Sequence, residues 1–139
     1  MSVRYLDLAD YLLVAEAVLG VDAEDLARFA GIALAESALH APAAGFGDVE
    51  FHPGVERKAA VLLHHLVRNH ALPDGNKRVG YLCMLEFLAR NGLVWQRSGG
   101  DPDETVGMVE SVAAGDAELE SVVAWITRRT ATDAAAPEP

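Results

Sequence analysis

The chain has 139 residues, 51% of them apolar, which is enough for one domain with a sizeable hydrophobic core. No stretch approaches the roughly 18 consecutive apolar residues of a membrane span, and the first residues do not have the pattern expected of a secretory leader. We therefore expect a cytoplasmic protein without a membrane partner. The formal net charge of −10 argues against binding to nucleic acid.

The positive charge is concentrated in the middle of the chain. Residues 57–97 contain seven Lys or Arg and two Asp or Glu, a net charge of +5, whereas the rest of the chain carries −15. An acidic protein with one basic segment suits a small phosphorylated ligand better than a polynucleotide. The alternative is two ordinary helices with charged outer faces.

The first forty residues predict two helices. Apolar residues recur at helical spacing over residues 6–19, with Asp7 near the start and Gly20 as a stop signal. Asp22 is placed to cap a second helix over residues 23–39, a segment rich in Ala and Leu.

Residues 43–53 break the helical pattern. Two glycines flank Phe46, and the apolar residues Val49 and Phe51 then alternate with acidic ones. Alternation of this kind between turn residues predicts a short strand, with a plain connecting loop as the alternative. An exposed strand edge offers unpaired backbone donors and acceptors to another chain.

Two further helices flank the most unusual stretch of the sequence. Residues 55–69 place apolar side chains on one face, and residues 76–90 are apolar on most sides after the first turn, which predicts a buried central helix. Cys83 lies in this second helix. Because it is the only cysteine, it cannot form an internal disulfide, and we expect a buried, inert thiol.

The loop and helix start between them predict an anion site. Asn76 is placed to cap the second helix, whose first turn leaves backbone N–H groups without partners, and the helix dipole favours a phosphate there. Gly75 lets a ligand approach the backbone closely. Lys77 and Arg78 put two cations at the helix end where the dipole disfavours them, which makes sense if an anion lies between them.

Two residues of the same stretch could add chemistry to that site. His70 ends the preceding helix and can act as a general base near neutral pH, and Asp74 is a hard oxygen ligand of the kind that Mg²⁺ uses beside phosphates. One alternative is a histidine whose charge merely suits a helix C-terminus. Another is a metal-hydrolase cluster with His52, His64 and His65, for which the spacing is poor.

The C-terminal third predicts smaller elements. Residues 93–95 predict a short strand, a helix with an Asp cap and a proline at its first position covers residues 101–114, and a last helix covers residues 117–129. Residues 131–139 are rich in Ala, Pro and acidic side chains and are expected to be a disordered tail, which leaves one domain over residues 1–130.

The stretch between the two central helices resembles the signature loop of the Fic/Doc family: residues 70–78 read His-Ala-Leu-Pro-Asp-Gly-Asn-Lys-Arg. Lys77 stands where adenylylating members have glycine, and Tyr81 where they have a second arginine; Doc-type members share both departures. Leu72 replaces the usual phenylalanine as an apolar anchor. The resemblance covers most of the chain. It implies a Fic-like, all-α, single-domain bundle around a buried central helix, with a small β-hairpin-like flap.

The resemblance also implies a transferase that moves part of ATP onto a hydroxyl group of a protein. On this chain, His70 would deprotonate a Ser or Thr hydroxyl, and Asp74 would hold Mg²⁺ on the phosphates. Lys77 and Arg78 would stabilise charge during catalysis. The residues that line the nucleotide or anion site would then be Gly75, Asn76, Lys77 and Arg78.

Doc-type members are thought to bind ATP reversed, so the resemblance favours a protein kinase. Adenylylation and a non-catalytic nucleotide- or partner-binding module are the alternatives. The implied role is that of a toxin that arrests growth by modifying a translation protein, elongation factor Tu, and is restrained by a separate Phd-like antitoxin. The flap would align the target segment by strand addition through Gly47, Asp48, Val49 and Glu50.

Overall fold

The structure of the protein is a computed structural model that describes residues 2–29, 31–97 and 102–132. Within these ranges the chain forms seven α-helices, one 3-10 turn and four short strands. None of these helices is long and apolar enough to cross a membrane. In chain order the elements are α1 (Leu8–Leu19), α2 (Ala23–Phe29), α3 (Ile32–His40), the 3-10 turn (Ala41–Ala43), β1 (Gly45–Phe46), β2 (Val49–Glu50), α4 (Val55–Arg68), α5 (Asn76–Arg90), β3 (Leu93–Trp95), α6 (Pro102–Ala114), α7 (Leu119–Arg129) and β4 (Thr130–Thr132).

Helices α4 and α5 form the centre of the fold. Helix α4 contacts α3, α6 and α7, and α5 contacts α1, α6 and β3. The two helices approach closely at Gly80, where an added Cβ would lie 2.8 Å from Cγ2 of Val67. Cys83 is fully buried on α5, and burial raises the pKa of its thiol to about 12. The predicted mostly helical fold is confirmed. The centre of the fold is the pair α4 and α5. Helix α5 is not buried on every side, since Leu82 on its outer face is 40% exposed.

The N-terminal helix ends at Leu19, as the sequence predicts, but it begins at Leu8 and not at residue 6. Asp7 and Asp10 form a capping box, in which the backbone N–H of each donates to the carboxylate of the other at 2.9 Å. Gly20 ends the helix with a φ of 68°, a left-handed conformation that glycine adopts without strain. Asp22 likewise accepts a hydrogen bond from the N–H of Glu24, as expected of a cap for α2.

The prediction of one helix over residues 23–39 is wrong. Helix α2 ends at Phe29 and α3 begins at Ile32, with Gly31 as its N-cap. The backbone N–H of Gly31 donates to the carbonyl oxygen of Ala71, which lies in the loop between α4 and α5. This long-range bond replaces an intrahelical one, so tertiary structure overrides a local pattern that favours a continuous helix.

The C-terminal segment adds a strand that was not predicted. Strand β3 is confirmed at residues 93–95, and it pairs antiparallel with β4, with Trp95 opposite Thr130. Strand β4 contains Ala131 and Thr132, so the predicted disordered tail is wrong for these two residues. Residues 133–139 and the predicted cap Asp101 lie outside the described residues. The pairing with β3 explains the extra strand, because three residues directly after a helix are too few to predict one by themselves.

Candidate active site

The loop between α4 and α5 is anchored in the core by its apolar residues. Ala71 and Leu72 are 4% and 3% exposed, so Leu72 is the buried anchor that the sequence predicts. His70 precedes them with a φ of 51°, a left-handed conformation that is uncommon outside glycine. This conformation turns the chain after α4 and leaves the His70 side chain exposed, while Ala71 and Leu72, which follow it, are buried.

Asn76 does not cap helix α5, so that prediction is wrong. The N-cap is Gly75, and the helix begins at Asn76 itself. Its side chain points back to the loop, where Oδ1 accepts from the N–H of Leu72 at 3.1 Å and Nδ2 donates to the oxygen of Leu72 at 2.9 Å. A residue in the first helical turn is poorly placed to cap that same turn, and the buried loop backbone needs partners. Asn76 therefore shapes the loop.

Gly75 has a left-handed backbone conformation that favours glycine, and it lies against a side chain of α1. Its φ is 80°, and an added Cβ would lie 2.5 Å from Cδ2 of Leu19 at the end of α1. Among the described residues no side chain caps this helix start, and the first bond of the helix is from the N–H of Val79 to the oxygen of Gly75 at 2.9 Å. The donors of the first turn remain available to an anion.

The predicted site residues of the loop and of the start of α5 surround one cavity of about 400 Å³. Helix α6 closes one side of this cavity with Ala113. Arg68, at the end of α4, holds α6 in place by donating to the carbonyl oxygen of Val112 at 3.2 Å. The cavity therefore combines an imidazole, a carboxylate, two cations and a helix N-terminus. The residues that line it are Val67, His70, Pro73, Asp74, Gly75, Asn76, Lys77, Arg78 and Ala113.

A second cavity of about 280 Å³ shares Lys77 and Arg78 with the first. Tyr81 lines it and contacts Trp95 edge-on, with ring centroids 6.0 Å apart, and burial raises the pKa of Tyr81. Sequence reasoning missed the opposite wall, because the pattern of α6 does not reveal which face meets α5. The residues of α6 that form this wall are Thr105, Val106, Val109 and Glu110.

The residues fit magnesium held in part by a nucleotide. Among the residues that the structure describes, Asp74 is the one carboxylate that lines the first cavity. In the described part of the chain, no group of three or more His, Cys, Asp or Glu side chains could hold a metal. Mg²⁺ commonly binds through one or two carboxylates together with substrate phosphates, which this arrangement allows. His64 and His65 line neither cavity, and burial lowers the pKa of both imidazoles.

The flap is a hairpin, as the resemblance implies. Strands β1 and β2 pair antiparallel, with Phe46 opposite Val49, and Gly47 (φ 60°) and Asp48 form the turn. The side chains of Phe46, Val49 and Phe51 are 82%, 65% and 58% exposed. None of the four predicted flap residues, Gly47, Asp48, Val49 and Glu50, lines either cavity. Their role in positioning a target therefore stays a prediction.

The uncapped start of α5, the cations Lys77 and Arg78, and His70 all line the first cavity, and such a helix start suits an anion. The family model described as Fic/DOC family matches residues 5–88, and the chain belongs to this family. It is also 34% identical to the Toxin Doc of Mycolicibacterium smegmatis over 121 residues. These aligned residues cover 87% of this chain and 89% of that protein. These findings support a toxin, and an enzyme that transfers a nucleotide-derived group to a protein.

Proposed function

We propose that the chain is the toxin of a toxin–antitoxin pair and that it transfers a phosphoryl group from ATP to a Ser or Thr hydroxyl of a translation protein. Elongation factor Tu is the proposed target by resemblance alone. The observation that carries the proposal is the cavity of about 400 Å³ that joins His70 to the uncapped start of α5. The identity of Lys77, where adenylylating members have glycine, favours transfer of the terminal phosphoryl group.

In the proposed reaction His70 acts as the general base. The target hydroxyl oxygen attacks the terminal phosphorus and its proton passes to the imidazole of His70. The bond from that phosphorus to the bridging oxygen breaks, and ADP leaves. The N–H groups of the first turn of α5, with Lys77 and Arg78, stabilise the charge on the phosphate oxygens. Mg²⁺ held by Asp74 would supply further neutralisation of that charge.

The second cavity supports a place for the nucleoside of ATP. It adjoins the first cavity at Lys77 and Arg78, so a nucleotide that bridges the two would keep its phosphates against both cations. Its walls are mostly apolar, with Tyr81 and Val109 on opposite sides, which suits a base. A Phd-like antitoxin that covers either cavity would block ATP or the target.

The proposed activity is tested with purified elongation factor Tu and ATP labelled at either the α- or the γ-phosphate. We expect label from the γ-position alone on the target. Transfer of the α-label would instead show adenylylation, and no transfer of either label would refute this target. If ATP raises the melting temperature of the chain and yet no label is transferred, a non-catalytic binding module would be favoured.

A further inference from the structure

Helix α4 carries a buried lysine that the proposed chemistry does not use. Lys58 is 1% exposed, and apart from Arg129 it is the only buried charged residue in the described ranges. Taking an ammonium group out of water costs several kcal/mol unless it is paired and hydrogen-bonded. An apolar side chain of similar size would fill the same space without this cost. The reason for a lysine at this position must therefore lie in the hydrogen bonds and the ion pair that it makes.

The three acceptors of Lys58 all lie in the flap or in its two legs, which are the segments that enter the flap before β1 and leave it after β2. Its Nζ donates to the carbonyl oxygen of Pro42 at 3.3 Å, which precedes β1, and to that of His52 at 2.7 Å, which follows β2. It also pairs with Oε1 of Glu50, in β2, at 3.0 Å. The N–H of Phe51 closes the base of the hairpin by donating to the oxygen of Ala44 at 3.0 Å. One side chain of α4 therefore holds both legs of the flap.

The same helix leads into the candidate base. From Lys58 to Arg68 helix α4 is continuous, a length of about 15 Å, and His70 follows two residues later. We infer that Lys58 is a positioning residue that clamps the flap at a set place relative to His70, so that its strand edge is preformed for the protein substrate. The use of the edge by a substrate rests on the proposed function, whereas the clamp is a property of the fold.

The first test measures amide hydrogen exchange over residues 44–51. The variant Lys58→Met keeps the buried volume and removes all three bonds. We expect flap amides of this variant to exchange about tenfold faster, which corresponds to the loss of one or two net hydrogen bonds, while α5 amides are unchanged. The matched control is Arg57→Ala, whose side chain lies one residue earlier and pairs with Glu120 of α7 at 2.8 Å. Unchanged flap exchange in Lys58→Met would overturn the clamp.

The second test separates positioning from stability. With elongation factor Tu and labelled ATP, we expect the KM for the protein in Lys58→Met to rise about tenfold, as one or two lost hydrogen bonds would produce. The kcat and the KM for ATP should stay near wild type. If the flap amides of Lys58→Met exchange faster while the KM for the protein is unchanged, the positioning role would be overturned. If the wild type itself transfers no label, the proposed function fails, and the exchange measurement alone decides the clamp.

Glu50→Gln gives an independent measure that does not disturb the core. The Glu50 side chain is 55% exposed, so removing its charge leaves the buried bonds to Pro42 and His52 in place. We expect changes in the same direction as for Lys58→Met, and smaller. Should Lys58→Met fail to fold, a Glu50→Gln flap that exchanges at the wild-type rate would count against the clamp.

Discussion

The loop of residues 70–78 and the flap of residues 45–50 are held by the fold in different ways. In the loop, Leu72 is buried and both of its backbone groups are bound by Asn76. In the flap every residue is exposed, and its two strands have two residues each. The flap depends on its base, where Lys58 is the buried contact.

This difference matches what each region is proposed to do. Proton and phosphoryl transfer need reacting groups held within a fraction of an ångström, which a loop packed between two central helices can provide. Recognition of another chain through a strand edge needs exposed backbone and exposed apolar side chains, which a packed loop cannot provide. Four predictions separate the two regions, from the largest expected effect to the smallest.

Replacing the candidate base should cause the largest loss. For His70→Ala we expect the rate of label transfer to fall by about 10²–10⁴-fold, because general base catalysis is removed. The melting temperature should barely change, since His70 is exposed. His40→Ala, which replaces another exposed histidine at the end of α3, is the control and should transfer label at the wild-type rate. Wild-type transfer by His70→Ala would remove His70 from the mechanism.

Two glycines with positive φ should separate packing from backbone strain. Gly47→Ala in the flap should lower the free energy of unfolding by about 1–2 kcal/mol, because nothing lies within 4 Å of its Cβ and only the left-handed conformation is penalised. Gly75→Ala in the loop should lower the free energy of unfolding by about 1 kcal/mol more, because its Cβ would have to displace the end of the half-buried Leu19 side chain. Urea denaturation measures both. Equal losses would mean that packing against Leu19 does not matter.

The asparagine inside the loop should matter more than the one beside it. Asn76→Ala leaves the N–H and oxygen of Leu72 without their partners and should cost about 1–3 kcal/mol of unfolding free energy, with a lower transfer rate. Asn69→Ala removes one exposed bond to the oxygen of Leu34 at 3.2 Å and should cost about 0.5–1.5 kcal/mol at most. Equal stability of the two variants would show that the loop keeps its shape without Asn76.

The smallest effect on stability is expected at the tip of the flap. Phe46 is 82% exposed, so Phe46→Ser should change the free energy of unfolding by no more than about 0.5 kcal/mol. The KM for the protein substrate should rise severalfold if this ring contacts it. A large loss of stability would show that Phe46 is packed in solution, and an unchanged KM would place the substrate elsewhere.

Much of the candidate site was readable from sequence because its residues lie within nine positions. One cavity is lined by His70, Asp74, Lys77 and Arg78. The short loop between two packed helices keeps these residues close together in space. The role of Asn76 was not readable, since a residue at a helix start can bond forward to its own turn or backward to the loop. The choice depends on how deeply Leu72 is buried.

The sequence by itself determined most of the helices, the short strand β3 and the chemical content of the loop, because periodicity and motif spacing act over a few residues. Only the tertiary structure decided the break at Gly31, the pairing of β4 with β3 and the burial of Lys58 under the flap. Each of these depends on partners 6 to 40 residues away in sequence, such as Ala71 for Gly31 and His52 for Lys58. Local preferences are too weak to choose among such partners, whereas packing of the whole core selects one arrangement.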